Sequence, residues 1–108
     1  RQSEIVKQFK NDVELYFRTH HKVNEYADRQ HLTANHLNEV IKSETGTSTK
    51  DFIQNRLLLE AKRLARYSNL NAKEIAYRLG YEDVAHFSKF FKKWEGVAFT
   101  EFREKTDL

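Results

Sequence analysis

The chain has 108 residues, 39% of them hydrophobic and 32% charged, with a formal net charge of +3. That length suits one compact domain with its own core, and the balance excludes a disordered chain. There is no cysteine, which rules out disulfides, thiolate catalysis and cysteine-based zinc sites and fits a reducing compartment.

No apolar run approaches the roughly 18–20 residues of a membrane span, and no signal-peptide pattern opens the chain, so no membrane contact is expected of this segment. The first residue is Arg1 rather than Met, and we expect a fragment of a longer protein. Proline is absent and only Gly46, Gly80 and Gly96 interrupt the chain, so helices with short joints are the default.

Ile5, Val6, Phe9, Val13, Tyr16 and Phe17 recur at helical spacing behind Ser3 as a cap, predicting a first helix that ends near His20-His21-Lys22. A short helix follows from about Val23 to Gln30. Thr33 caps a third, with Ala34, Leu37, Val40 and Ile41 inward and Gly46 as its stop. Ser48 and Asp51 resemble a capping box and open the longest pattern, in which Phe52, Ile53, Leu57, Ala61, Leu64 and Ala65 share a face to about Tyr67. Residues 68–71 break it. Ala72 to Leu79 forms a short helix before Gly80, about Asp83 to Glu95 another before Gly96, and about Thr100 to Lys105 the last.

No segment alternates at period two, so the fold class is all-α with about seven helices. Residues 1–47 hold the first helix and a first helix-turn-helix, 48–67 a long linker helix, and 68–108 a second helix-turn-helix.

The two halves repeat. Glu25, Ala27 and Arg29 recur 49 positions later as Glu74, Ala76 and Arg78; His36, Lys42 and Gly46 recur 50 positions later as His86, Lys92 and Gly96. The apolar positions Leu37, Val40 and Ile41 fall on Phe87, Phe90 and Phe91, and the caps correspond, Thr33 with Asp83. Each copy reads short helix, tight turn, longer helix, with a small residue where a close helix crossing needs one. That is the plan of a helix-turn-helix, in which the first helix braces and the second presents its outer face to a groove.

On these residues the chain resembles the DNA-binding domain of the AraC/XylS family of bacterial transcription regulators. The likeness is carried by Arg56-x4-Ala61-x2-Leu64, Glu74-Ile75-Ala76, Gly80-Tyr81, Phe87-x2-Phe90-Phe91-Lys92, Gly96 and Phe102-Arg103. The first unit matches more loosely, through Glu25-Tyr26-Ala27, Leu37, Lys42, Glu44-Thr45-Gly46 and Phe52-Ile53. Phe99 stands where the family usually has proline, and Glu39 where similar proteins often carry a basic residue.

The resemblance implies two helix-turn-helix units that enter adjacent major grooves of double-stranded DNA. A linker of some 18 residues spans about 27 Å, of the order of the groove repeat. It further implies transcription regulation, commonly activation, with RNA polymerase as a partner, a sensing or dimerising domain upstream, and a cytoplasmic, nucleoid-associated location.

Asn35, His36, Asn38, Glu39 and Lys42 form the reading face of the first unit, and Val84, Ala85, His86, Ser88, Lys89 and Lys92 that of the second. Asn pairs with adenine, Glu accepts from cytosine, small apolar groups meet thymine methyls, and Lys reaches guanine or phosphate. His36 and His86 are either contacts to phosphate or a base edge, or partly packed helical histidines. Thr33, Arg56, Arg63 and Asp83 are candidates for phosphate contact, with a neighbouring carboxylate as the alternative partner of each arginine. Glu25 and Glu74 read as the acid ends of ion pairs. Phe9, Phe17, Phe87, Phe90, Phe91 and Trp94 lie on inward stripes and read as core rather than as a stacking platform for single strands.

No glycine-rich phosphate loop or paired-acid motif suggests an enzyme, and no cofactor is implied. His20 and His21 point apart and His31 and His36 are five apart, off the helical ligand spacing, so no metal is expected. The excess charge lies in the second half, where residues 55–108 carry 11 Lys and Arg against 8 Asp and Glu. The competing function is a helical protein-interaction module that has lost DNA binding.

Overall fold

The computed structural model describes residues 1–106, and they form seven helices: α1 (Gln2–Tyr16), α2 (Val23–Arg29), α3 (Ala34–Thr45), α4 (Thr49–Tyr67), α5 (Ala72–Arg78), α6 (Val84–Glu95) and α7 (Phe99–Thr106). Two compact units result, residues 1–56 and 57–108, with the division falling inside α4.

In the first unit α1 packs on α2 and α3, burying Ile5, Phe9, Val13, Phe17, Tyr26, Ala27, Leu37, Val40, Ile41 and Ile53. The edge of Phe9 meets the Tyr26 ring at 5.6 Å between centroids. The Tyr26 hydroxyl donates to the His20 carbonyl at 2.8 Å. Burial, with Glu25 and Asp12 nearby, pushes this phenol above its ordinary range, so it stays protonated as a donor.

In the second unit α6 packs on α5 and α7 around Phe87, Phe90, Phe91, Phe99 and Phe102. Phe91 lies 5.4 Å from Phe99 and 5.5 Å from Phe102, both edge to face. Phe99 begins α7, at the one helical position that also tolerates proline, and uses its ring to fill the core instead. Trp94, expected inward, is half-exposed.

Helix ends differ from expectation at two places. Ser3 does not cap α1; the helix starts one residue before it, and Arg1 stands at the N-cap without a side-chain bond. α1 also stops at Tyr16 rather than near His20, because the Thr19 and His20 amides and the Thr19 hydroxyl all turn back onto the Tyr16 carbonyl.

The duplication extends beyond the helix-turn-helix pairs. The buried residues Phe9, Asp12 and Val13 of α1 and Phe17 at its C-cap recur 48 positions later as Leu57, Glu60, Ala61 and Ala65, also buried. The start of α4 recurs in α7, Thr49 and Phe52 answering to Phe99 and Phe102. One continuous helix is therefore the fourth helix of the first unit and the first helix of the second.

Both turns are built alike. After α2 the Leu32 amide bonds the Ala27 carbonyl at 3.0 Å and the His31 amide that of Asp28 at 3.1 Å; after α5 Tyr81 bonds Ala76 and Gly80 bonds Tyr77 at the same lengths. This is the Schellman pattern, which needs a left-handed residue between its two amides. Gly80 fills that place at φ 85°, but in the first turn it is His31, at φ 58°. A side chain there costs about 1 kcal/mol or more in backbone strain. Since His31 is exposed, His31→Gly should raise stability by about 0.5–1 kcal/mol in urea denaturation; a loss would mean that the imidazole has a role of its own.

Candidate nucleic-acid interface

The caps that aim the two presenting helices are side chains of the repeat itself. Thr33 Oγ1 accepts from the His36 amide at 3.0 Å, and Asp83 Oδ1 from the His86 amide at 2.9 Å. At the other end Gly46 and Gly96 are left-handed and return their amides to the Lys42 and Lys92 carbonyls. The brace helices are capped alike. Glu25 accepts from the Lys22 amide at 3.1 Å and Glu74 from the Asn71 amide at 2.9 Å, so these two acids act as helix caps rather than as ends of ion pairs.

With Leu37, Val40 and Ile41 buried, α3 turns Asn35, His36, Glu39 and Lys42 to solvent. Among the described residues, the side chains of Asn35, Glu39 and Lys42 have no partner. Asn38 departs from expectation: it is half-buried, and its Oδ1 accepts the Thr49 amide at 2.9 Å, capping α4. Its acceptor oxygen is engaged inside the protein, which competes with two-bond pairing to adenine.

On α6, Val84, Ala85, His86, Ser88, Lys89 and Lys92 are all exposed over the buried Phe87, Phe90 and Phe91. His86 Nδ1 lies 3.1 Å from Asp83 Oδ2, which orients its ring toward the cap.

The four phosphate candidates divide. Thr33 keeps its hydroxyl proton for donation, since its oxygen only accepts within the protein. Asp83 is corrected to a cap that also holds the His86 imidazole. The His86 amide bond, helped by the His86 imidazole and the Ala85 amide, holds its carboxyl below the usual range, so it is an anion that repels phosphate. Arg56 meets Glu14 through two bonds of 2.9 Å and stacks 4.2 Å over Phe17; Arg63 grips Glu60 at 2.9 and 2.7 Å. Both linker arginines thus take the neighbouring carboxylate.

Because the folded Asp83 titrates below its unfolded value, its stabilisation is full above about pH 4 and is lost as pH falls through the lowered value. Asp83→Asn keeps the acceptor and removes the titration. Thermal melts between pH 5 and 2.5 should therefore show a shallower acid decline for the variant, and identical declines would contradict this role.

Sequence reading missed a hollow of about 520 Å³ beside α6, lined by Ser88, Lys89, Lys92, Lys93, Phe99 and Thr100 among others. Lys93 is four residues past Lys89 on the same stripe, which was the available signal. Thr100 arrives from α7 and left none. Among the described residues, no helix is long and apolar enough to cross a membrane.

Two brace helices, two Schellman turns and two capped, outward-facing helices define a duplicated helix-turn-helix domain. Residues 26–105 match the family described as "Helix-turn-helix domain", and the chain belongs to that family, in agreement with its AraC/XylS resemblance. It is 41% identical over 58 residues to the HTH-type transcriptional activator Btr of Bacillus subtilis (strain 168), covering 54% of this chain and 11% of Btr. The chain thus spans about a tenth of that relative's length. Its fold is similar to that of the C-terminal domain of AraT, a response regulator from Geobacillus stearothermophilus, with a TM-score of 0.90, 27% identity, and coverage of 97% of this chain and 88% of that one. The DNA-binding domain of AdpA, the global transcriptional factor, in complex with a target DNA, shares the fold at a TM-score of 0.79 and 20% identity, covering 96% and 90% of the two chains.

Proposed function

We propose that this chain is the DNA-binding part of a bacterial transcription activator and reads double-stranded DNA through α3 and α6 in adjacent major grooves. The observation that carries the reading is the repeated one: two helices, each fixed at both ends by its own caps, each turning a face without a core role to solvent. A bracing helix and a fixed presenting helix are what groove insertion requires. Asn35 and Glu39 on α3, and Val84, Ala85 and Ser88 on α6, face base edges, while Lys42 and Lys89 reach phosphate or guanine. The name of Btr supports activation and the AdpA complex supports DNA as the ligand. RNA polymerase as partner, a sensing or dimerising domain upstream, and a cytoplasmic location belong to the same proposal.

The competing reading, a protein-interaction module, separates from this one by salt. Binding to a labelled 30-base-pair duplex, read by fluorescence anisotropy, should weaken by about 10²–10³ between 50 and 200 mM salt, as about four to six phosphate contacts demand. Absence of duplex binding at 50 mM would favour the interaction module.

A further inference from the structure

We infer that Asn38 reads its base pair as a hydrogen-bond donor only, through Nδ2, and so selects guanine or thymine over the two-bond match to adenine; the inference rests on the duplex-binding reading above. A backbone amide can only donate, so the end of the Asn38 side chain that faces the Thr49 amide at 2.9 Å must be its oxygen. That bond settles which way round the side-chain amide sits. The nitrogen is left at the other corner of the same rigid plane. It takes no partner among the described residues, and it is not one of the buried polar atoms left without a bond, so solvent reaches it. Asn38 stands three residues after Asn35 and four before Lys42, both exposed, which puts it on the outward stripe of α3.

The same helix supplies a control. Asn35 is exposed, and among the described residues nothing holds either end of its amide. It can turn to give adenine a donor for N7 and an acceptor for the N6 amino group at once. For Asn38 that match means drawing its oxygen away from the start of α4, where Thr49 is fully buried. A buried backbone N–H would then go unpaired, which is costly. Guanine N7 and O6 and thymine O4 ask only for a donor. Adenine offers N7 too, but its amino group is then left without an acceptor, and cytosine offers only an amino group. The second unit has no equivalent device. Ser88 stands at the matching position without a partner among the described residues, and its hydroxyl can donate or accept. In the first unit, the bond that caps α4 therefore sets the polarity of a base contact.

Asn38→Asp and Asn38→Ala separate reading from capping. Aspartate keeps an oxygen for the Thr49 amide at a helix start, where negative charge is favourable, and replaces the donor by a second acceptor. Its melting temperature should match or exceed the parent's, whereas that of the alanine variant should fall by about 4–8 °C through loss of the cap. Selection from random duplexes with the parent chain and with Asn38→Ala then locates the base pair whose preference alanine relaxes. Every pair carries one amino group in the major groove, and it can be deleted alone, with purine for adenine or 5-methyl-2-pyrimidinone for cytosine. Deleting it at that pair should leave the parent's affinity within about twofold but weaken Asn38→Asp by about tenfold, as loss of a bond to a charged group does. Equal weakening of the parent overturns the inference, since its oxygen then accepts from the base. A selected motif that Asn38→Ala leaves unchanged, or an aspartate variant indifferent to the amino group, also overturns it. A parent chain that enriches no motif at all would instead overturn the duplex-reading proposal itself.

Discussion

Replacing Arg103 by alanine is expected to destabilise the second unit by about 3 kcal/mol. Its guanidinium donates to the Ala65 carbonyl at 3.1 Å and the Ser68 carbonyl at 2.8 Å, to Leu70, and more weakly to Leu64 at 3.5 Å. Those carbonyls end α4 and begin the break that leads to α5. The last turn of a helix leaves its carbonyls without intrahelical partners, and charge-assisted bonds to them contribute about 1.5–3 kcal/mol each, not additively. The same guanidinium lies 5.3 Å from the Phe99 ring, so its loss also loosens the aromatic core. Arg103→Lys, which keeps the charge but not the planar fork, should recover less than half of the loss. Urea denaturation of the three proteins decides it; an alanine variant within about 0.5 kcal/mol of the parent would show that the carbonyls find water equally well.

Phe91→Ala is expected to cost about 4 kcal/mol, the largest effect of any single truncation here. The ring is fully buried and faces Phe87, Phe99 and Phe102 at 6.0, 5.4 and 5.5 Å. Large-to-small changes at such sites cost about 3–5 kcal/mol, the higher values where neighbours cannot collapse into the space. Here Phe99 and Phe102 come from α7, which Arg103 ties to the end of α4, and this limits collapse. Ile41→Val at the equivalent position of the first unit should cost about 1 kcal/mol, as one methylene is removed. Equal losses for the two substitutions would mean that the aromatic cluster is loosely packed.

The helix-turn-helix pairs were legible because their signals are local. Leu37, Val40 and Ile41, or Phe87, Phe90 and Phe91, mark one face within five residues, and each cap lies within three residues of the amide it serves. Several of the misplaced assignments involve partners distant in sequence. Asn38 reads as an exposed face residue until its bond to Thr49, eleven residues on, is seen. Arg56 meets Glu14 across 42 residues, and Arg103 meets the end of α4 across more than 30. His31 was overlooked for a different reason: the turn signal is usually glycine, and here backbone geometry outweighs the residue's own preference. The repeat was half legible. α1 and the later half of α4 share burial positions but few identities, so only the pattern of buried residues joins them.

The central claim, that both units read duplex sequence, is tested most directly by selecting this chain's ligands from random duplex DNA at low salt and sequencing the enriched pool. The account predicts two short motifs about one helical turn apart, with Asn35→Ala altering one block and Ala85→Lys the other. A pool that remains random, also when the domain is artificially dimerised to supply avidity, would contradict it.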